Sequence, residues 1–319
     1  MATSFEASHH SMKLTVIICT YNRAQTISKA LESVLASVLS PDVEWEVLVV
    51  DNNSKDNTRA AANEFCLRYP GRVRYLFELQ QGLSNARNAG IREARGEIIA
   101  FTDDDVIVEP DWLQNLTTSL HDGTWAGAGG SIRPPQDFTP PDWLTLGGGA
   151  MDSSGVLALF DVGTEPGELE KAPYGANMAF RKDIFEKYGG FRPDLGRCGD
   201  SLISNEDTEF GGRLMAAGER LRYEPSAVVY HPVPKERLSK KYFLAWWFAH
   251  GRAMFRQTGR RPSVWGIPRH YVSIFSRTLC WMFTSSPDPK RRFFWKTRMW
   301  EAAGELFEIY SSRQQNKSR

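Results

Sequence analysis

Three consecutive aspartates, residues 103–105, lie just beyond a mostly apolar run, residues 97–101 (Glu-Ile-Ile-Ala-Phe). Carboxylates this close together raise one another's pKa unless a cation lies among them. Such oxygen ligands suit a Mg²⁺ or Mn²⁺ ion that also contacts substrate phosphates. An isolated triplet of this kind would favour the alternative interpretation, a solvated acidic turn that precedes a helix. Its position at the end of a strand favours a metal site instead.

Two other polar clusters also follow apolar runs. Residues 20–23 (Thr-Tyr-Asn-Arg) come after the run 14–19, and residues 51–53 (Asp-Asn-Asn) come after 45–50. Both runs are continuous and rich in β-branched residues, which is typical of strands buried on both faces. Ligands of α/β sheets bind beyond the carboxyl ends of parallel strands. We therefore expect the three polar clusters to line one site.

The first hundred residues alternate between strand and helix patterns. Helical spacing follows the first run at residues 27–38, and helices are also predicted at 56–68 and 83–94. A third strand is predicted at 73–77 and a fourth at 97–101. Short connections between alternating strands and helices indicate an α/β fold, a Rossmann-like, doubly wound and mostly parallel sheet.

Two common nucleotide-binding motifs are absent from the sequence. No G-x-G-x-x-G follows the first strand, and no G-x-x-x-x-G-K-[ST] occurs. The first absence argues against a dinucleotide-binding turn, and the second against a P-loop kinase or ATPase. A nucleotide would then be held by side chains, with its diphosphate neutralised by a metal ion.

The segment 127–173 differs in character from what precedes it. It is rich in Gly and Pro and has weak periodicity. Two interpretations stay open: a surface excursion, or a mobile lid or acceptor loop, since loops of this length are often functional. Regular structure is predicted again as a strand at 175–180, a helix at 205–217 and a strand at 227–230.

The composition is that of a globular protein whose charge is unevenly distributed. The 319 residues are 41% hydrophobic and 24% charged, enough for one large α/β domain with an appendage. Residues 232–319 hold 18 Lys and Arg against 5 Asp and Glu, and six of the ten tryptophans. Residues 1–231 hold 21 against 33. The acidic N-terminal part and the basic, aromatic C-terminal part suggest two functions in one chain.

Cysteine spacing and hydropathy predict a cytoplasmic protein. The four cysteines are widely spread and form no C-x-x-C pair, which favours a reducing compartment over a disulfide framework. Residues 1–11 are polar and predict a disordered tail, not a signal peptide. No segment reaches the length of about 18 apolar residues that spans a bilayer.

Six motifs, taken in order, resemble the inverting family-2 glycosyltransferases. They are residues 15–23 (TVIICTYNR), 49–54 (VVDNNS), 82–88 (GLSNARN), 94–105 (ARGEIIAFTDDD), 175–181 (GANMAFR) and 205–207 (NED). The resemblance covers residues 13–231. It implies the GT-A fold, a nucleotide-sugar donor, and Mn²⁺ or Mg²⁺ as cofactor.

The resemblance also implies roles for individual residues. Thr20, Tyr21, Asp51 and Arg87 would surround the base and ribose of the donor. The full set of predicted donor-binding residues is Thr20, Tyr21, Asn22, Arg23, Asp51, Asn53, Arg87, Asp103 and Asp104. Asp105 would be the direct metal ligand of the D-x-D motif, with Asp103 beside the ribose and metal. The family has a second aspartate where this chain has Asn52, which leaves the nucleotide open.

Catalysis is predicted at the Glu206-Asp207 pair. Asp207 would be the general base that takes the proton of the acceptor hydroxyl, while the metal acts as Lewis acid on the leaving diphosphate. The alternative interpretation is an acidic first turn that stabilises the following helix. The two roles are compatible, because a helix end would also position the base.

His231 follows the predicted strand 227–230. Proteins of this fold sometimes complete the metal site with a histidine at this place, so the resemblance adds His231 to the metal ligands. A lone histidine after a strand is also often structural, and both interpretations stay open.

The basic, aromatic segment from residue 235 onward is predicted to be helical. Its helices would either pack on the catalytic domain or contact an anionic membrane peripherally, at the inner face, with Trp and Phe at the interface. Single-stranded nucleic acid also binds interleaved cations and aromatics, but nothing else in the sequence supports it.

We therefore predict a GT-A catalytic domain over 12–232 and a helical extension over 233–319. The predicted reaction transfers a sugar from a nucleotide-diphosphate donor, with UDP-sugar favoured, to a hydroxyl of a glycan or lipid-linked glycan. One alternative is nucleotidyl transfer, which usually needs a glycine-rich basic turn that is missing here. Another is an inactive glycan-binding or scaffold protein, against which the intact Asp103, Asp105 and Asp207 argue.

Overall fold

The computed structural model describes residues 13–259, 263–264, 267–283 and 288–315. The predicted N-terminal tail, residues 1–11, lies outside this range. The first elements in chain order are β1 (Lys13–Thr20), α1 (Ile27–Leu35), β2 (Glu44–Asp51), α2 (Thr58–Arg68), β3 (Val73–Phe77), α3 (Leu83–Glu93) and β4 (Ile98–Asp103). The four strands pair in parallel, as predicted, and their order is β3-β2-β1-β4. Their apolar residues are buried on both faces because helices cover both sides.

The rest of the catalytic domain widens this sheet. It contains β5 (Ile107–Val108), α4 (Trp112–Thr118), β6 (Gly127–Arg133), a 3₁₀ helix (Ser154–Leu157), β7 (Gly167–Glu168), β8 (Met178–Arg181), α5 (Lys182–Tyr188), α6 (Glu206–Ala216) and β9 (Leu221–Tyr230). The nine-stranded sheet has the order β3-β2-β1-β4-β8-β6-β9-β5, with β7 paired to β9. β8 runs antiparallel to β4 and β6, and β5 and β7 run antiparallel to β9, while the other six strands run in one direction, so the sheet is mostly parallel.

The segment 127–173 is not wholly a surface excursion, because its first residues form β6 inside the sheet. β6 has only one of the β-branched residues that reveal a strand, Ile132, since its sequence is Gly-Ala-Gly-Gly-Ser-Ile-Arg. The neighbouring strands leave no room for larger side chains at two of its glycines. A Cβ at Gly127 would lie 2.3 Å from the Phe180 ring, and one at Gly130 would lie 2.1 Å from the carbonyl oxygen of Ala227.

Helix α6 is anchored by an aromatic cluster beneath the sheet. Phe210 is fully buried and its ring lies 5.0 Å from that of Phe180 and 4.9 Å from that of Phe185. Such pairs contribute about 0.5–1.5 kcal/mol beyond their buried area. The cluster therefore fixes α6 relative to β8 and holds its N-terminus in place.

The C-terminal extension is helical, as predicted. It consists of a 3₁₀ helix (Lys235–Leu238), α7 (Lys240–Thr258), a hairpin of β10 (Ser263–Val264) and β11 (Ile267–Pro268), α8 (Arg269–Phe283) and α9 (Pro289–Gln315). α7 packs on the catalytic domain, where the ring of buried Phe243 lies 5.0 Å from that of Trp143. In the described part of the chain, no helix is both long and apolar enough to cross a membrane.

Candidate active site

A cavity of about 660 Å³ opens at the carboxyl ends of β1 and β4. Both the catalytic domain and α7 contribute to its wall. The predicted site residues that line it are Thr20, Tyr21, Arg23, Arg87, Asp103, Asp104, Asp105, Glu206, Asp207 and His231. The structure therefore brings together residues that lie far apart in the sequence.

Asp103, Asp105 and His231 form a cluster that could hold a metal ion. One ligand atom from each of the three lies within 4.8 Å of the others. The first two residues end β4 and begin the turn after it, while His231 follows β9 and is 3% exposed. His231 Nε2 lies 3.8 Å from Asp105 Oδ1, too far for a hydrogen bond.

The donor atoms of this cluster fit the predicted cofactor. Carboxylates suit Mg²⁺ and Mn²⁺ alike, whereas an imidazole ligand suits transition metals better. The Nδ1 atom of His231 is buried and finds no hydrogen-bond partner among the described residues. A structural histidine at this depth would be expected to use its polar atoms, so the geometry fits a divalent cation.

Crowding and burial perturb the neighbouring aspartates. Burial, reinforced by the Asp105 carboxylate, raises the pKa of Asp104 to about 7. Burial and the same neighbour also raise the pKa of Asp103, although the Arg87 guanidinium opposes this. Negative charge concentrated here would be stabilised by a divalent cation.

A buried ion pair joins the two halves of the cavity. Arg87 on α3 donates from Nη1 to Glu206 Oε1 on α6 at 2.6 Å, and its Nη2 lies 3.9 Å from Asp103 Oδ1. Both partners of the pair are less than 5% exposed. Burial alone would lower the pKa of Arg87, but the charges of Glu206 and Asp103 outweigh it and raise that pKa. Gly175 leaves room for the guanidinium, because a Cβ there would lie 2.0 Å from Nη2.

Asp207 is oriented by backbone groups from two segments. Its Oδ2 accepts a hydrogen bond from the N–H of Gly175 at 2.7 Å, and its Oδ1 accepts one from the N–H of Thr208 at 2.7 Å. Because neither donor is a flexible side chain, the carboxylate is held in one orientation. A carboxylate fixed at the wall of a cavity can accept a proton from a bound hydroxyl.

Three predicted donor-binding residues do not line the cavity. Asn22 Oδ1 accepts from the backbone N–H of Lys55, and Asn53 Oδ1 accepts from the Lys55 ammonium group. Asp51 is buried and accepts from the Tyr75 hydroxyl at 2.8 Å. The Asn22 contact joins the loops after β1 and β2, and the Asp51 contact joins β2 to β3. A direct role of the three residues in donor binding stays a prediction.

Asn52 uses its whole amide to hold the turn before α3. Its Oδ1 accepts from the N–H of Gly82 at 2.7 Å, and its Nδ2 donates to the carbonyl of Gln80 at 2.8 Å. An aspartate could not make the second bond, because it has no N–H. Asn52, at the position where the family has a second aspartate, therefore has a structural role in this chain.

Sequence reasoning missed several residues of the cavity wall. They include Lys171, Arg197, Ser201, Arg237, Trp246 and His250. Arg237, Trp246 and His250 belong to the C-terminal extension, whose basic and aromatic composition was noticed but was interpreted as a packing or membrane surface. No local pattern could have placed these side chains beside β4.

Comparison with known proteins gives the family. The family model for glycosyl transferase family 2 matches residues 15–189. The succinoglycan biosynthesis protein ExoM of Rhizobium meliloti is 26% identical over 264 residues, which is 81% of each chain. The glucosyl-dolichyl phosphate glucuronosyltransferase of Haloferax volcanii is 30% identical over 229 residues, 69% of each chain.

Solved structures give the fold. The mannosyltransferase PcManGT from Pyrobaculum calidifontis, in complex with GDP-Man and Mn²⁺, superposes with a TM-score of 0.58 at 21% identity, covering 96% of this chain and 76% of its own. GalNAc-T7 with UDP, GalNAc and Mn²⁺ also gives 0.58, at 16% identity, and covers 95% of this chain and 58% of its own. The arrangement of strands, the acidic cavity and these matches agree, and the chain belongs to glycosyl transferase family 2, as a glycosyltransferase with the GT-A fold.

Proposed function

We propose that the chain catalyses metal-dependent, inverting transfer of a sugar from a nucleotide-diphosphate donor to a hydroxyl of a glycan or glycolipid. The main support for this proposal is that Asp103, Asp105 and His231 line the same cavity as the fixed carboxylate of Asp207. A cation-binding cluster and an oriented base in one cavity are the two elements that such a transfer needs. A scaffold protein would need neither.

The proposed reaction is one displacement at the anomeric carbon. The acceptor oxygen bonds to that carbon as the bond to the diphosphate oxygen breaks, and the diphosphate leaves with the electron pair. Asp207 takes the proton of the acceptor hydroxyl. The three ligand residues would hold Mn²⁺ or Mg²⁺, which stabilises the charge on the diphosphate when bound.

Glu206 is proposed to act through Arg87. Burial, together with the charge of Asp207, raises the pKa of Glu206, and its Oε1 is occupied by the Arg87 guanidinium. We therefore propose that Glu206 holds Arg87 beside Asp103 and that Asp207 alone accepts the proton. Thr20, Tyr21 and Arg87 line the cavity, and the nucleoside of the donor is proposed to bind beside them.

The donor is tested by calorimetric titration with UDP, GDP, dTDP and CDP, first with Mn²⁺ and then with EDTA. We favour UDP and expect its binding to require the metal. Absence of binding to every nucleotide by a folded sample would contradict the donor site. Asp207→Asn should still bind the nucleotide and lose at least about 10²-fold in turnover, because only the base is removed.

Relatives support the proposed acceptor class. ExoM of Rhizobium meliloti is named for succinoglycan biosynthesis, and the enzyme of Haloferax volcanii is named a glucosyl-dolichyl phosphate glucuronosyltransferase. A glycan or a lipid-linked glycan is therefore the acceptor that we propose to test first.

A peripheral membrane contact is proposed for α8. Tyr271, Val272, Phe275 and Met282 are 36%, 39%, 65% and 60% exposed, and their spacing places them on one helix face. The exposed Arg291 lies in the first turn of the neighbouring helix α9. Exposed apolar residues beside cations are typical of helices that lie on anionic bilayers.

Co-sedimentation with vesicles tests this contact. The protein should pellet with vesicles that contain phosphatidylserine at low salt, and less so with pure phosphatidylcholine. The double substitution Phe275→Ser/Met282→Ser should lower the bound fraction, whereas Leu67→Ser on α2, at an 84% exposed position, should not. Equal pelleting of all three proteins would exclude α8 as the contact surface.

A further inference from the structure

Asn205, two residues before the proposed base Asp207, has an unusual backbone. Asn205 has a positive φ of 76° and is only 6% exposed. Asparagine tolerates this left-handed region better than most residues do, and such conformations persist where the surrounding structure holds them. Since α6 begins at the next residue, the backbone of Asn205 sets the orientation of the first turn of α6, which carries Glu206 and Asp207.

The side chain of Asn205 does not cap its own helix but contacts α7 instead. Its Oδ1 lies 3.2 Å from His250 Nδ1, and its Nδ2 donates to Met254 Sδ at 3.4 Å. The hydroxyl of Ser204 also donates to Oδ1, at 3.3 Å. Because Oδ1 acts as the acceptor, the proton of the imidazole lies on Nδ1.

His250 is itself tightly constrained. Its ring stacks on that of Trp246 at 5.0 Å with an interplanar angle of 10°, and meets Trp247 edge to face at 5.3 Å. Nε2 lies 3.6 Å from Glu301 Oε1 on α9. Burial lowers the pKa of His250 despite this carboxylate, which agrees with a neutral ring protonated on Nδ1 alone.

The position of Glu301 is fixed by a close helix crossing and by arginines. Arg277 on α8 donates to Glu301 Oε2 at 2.8 Å. A Cβ at Gly251 of α7 would lie 1.9 Å from the carbonyl oxygen of Glu301, and one at Gly304 would lie 1.9 Å from that of Phe248. The two helices therefore approach to backbone contact, which places His250 rigidly.

We infer that His250 is a positioning residue, which fixes the start of α6 through Asn205 and so aims the carboxylate of Asp207 at the acceptor. This inference rests on the proposed function of Asp207 as base. The C-terminal extension is then part of the catalytic apparatus and not only a surface for attachment. Because the contact joins α7 to the start of α6, we expect it to act through the orientation of the base.

The test uses release of the nucleotide from a donor, with water as acceptor and Mn²⁺ present. The donor is whichever of UDP-glucose, UDP-galactose, UDP-N-acetylglucosamine and GDP-mannose is turned over fastest. His250→Phe keeps an aromatic ring against Trp246 but removes both nitrogens. We expect kcat to fall about 10- to 100-fold, as for a misplaced catalytic group, while donor KM and nucleotide Kd stay within about twofold.

Two amide substitutions form a matched pair. His250→Asn carries its amide near the position of Nδ1, whereas His250→Gln carries it near Nε2. We expect His250→Asn to recover most of the kcat that His250→Phe loses, and His250→Gln to recover little. A general loss of packing would affect both amides alike, so equal kcat values for the two would overturn the inference.

Asn205→Gly provides a second route that does not depend on the folding of the His250 variants. Glycine keeps the left-handed backbone but removes the side-chain contact. It should lower kcat to a similar extent, and the double variant with His250→Phe should be no slower than the worse single variant, because both break one interaction. Multiplied effects, or a rise in donor KM at unchanged kcat, would overturn the inference.

Asp207→Asn separates the two hypotheses. If Asp207→Asn turns over the donor like the wild type, the proposed function fails first. If it is inactive while His250→Phe and Asn205→Gly are fully active, only the positioning role fails.

Discussion

The two sides of the cavity are built differently. On the side of β1 and β4, long strands rich in β-branched residues end in polar side chains that line the cavity directly. On the other side, the wall is formed by α6 and by α7 of the extension, and the sheet in this half of the catalytic domain includes β6, a strand of mostly small residues. The first side depends on the strands themselves, whereas the second depends on close contacts between segments distant in sequence.

The largest loss of unfolding free energy is expected at the buried ion pair that joins the two sides. Arg87→Ala would leave Glu206 buried without its partner, which costs about 3–5 kcal/mol of unfolding free energy. Chemical denaturation monitored by tryptophan fluorescence measures this loss. Arg23→Ala is the control. Arg23 is 43% exposed and lies 3.8 Å from Asp104, so we expect a cost below about 1 kcal/mol. Equal costs would mean that the buried pair does not join the two sides.

The small residues of β6 are tested by adding one methyl group. Gly130→Ala would place a Cβ against the carbonyl oxygen of Ala227, and we expect a loss of about 3 kcal/mol or no folded protein. Gly212→Ala is the opposite case, because nothing lies within 4 Å of its Cβ position on α6. It should gain up to about 1 kcal/mol through helix propensity. Thermal unfolding of both variants compares them, and a stable Gly130→Ala would refute the role given to β6.

Metal binding tests whether the sides cooperate, since Asp105 comes from one side and His231 from the other. Mn²⁺ at about 100 times its Kd should stabilise the wild type by about 2.7 kcal/mol. This stabilisation should vanish in Asp105→Asn and weaken in His231→Phe, while Asn53→Ala should retain it. Scanning calorimetry with and without EDTA measures the effect. Retention of the full shift in His231→Phe would remove the histidine from the ligand set.

The smallest loss of unfolding free energy is expected at the amino ends of the strands, away from the cavity. Glu46 on β2 accepts from Arg74 at 2.8 Å, from the backbone N–H of Arg95 and from the Thr15 hydroxyl. Burial alone would raise the pKa of Glu46, but these donors outweigh it and lower that pKa below 4.5. A lowered folded-state pKa stabilises the protein above the unfolded-state value, and this contribution is lost as the pH falls through the folded-state value.

Glu46→Gln should therefore cost about 1–2 kcal/mol at pH 7. The difference between wild type and variant should shrink as the pH falls below 4.5. Urea unfolding at a series of pH values measures it. A difference that does not change with pH would show that packing, and not charge, accounts for the cost.

The sequence alone determined the fold class and much of the site. The strand pattern of residues 14–101 and the polar clusters after it were sufficient to predict the parallel sheet and to place Asp103 and Asp105 at its carboxyl edge. This succeeded because buried parallel strands must be continuously apolar, so their polar ends stand out locally. The helices of the extension were also predicted from their pattern, since helical periodicity is a local property.

Only the tertiary structure decided the rest. β6 could not be recognised, because Gly130 is required by the nearby backbone of Ala227 and not by strand propensity. The contact of His250 with Asn205 joins residues 45 positions apart, and no spacing rule predicts which helix face meets which loop. Packing between distant segments is set by shape and close approach, and these exist only once the chain has folded.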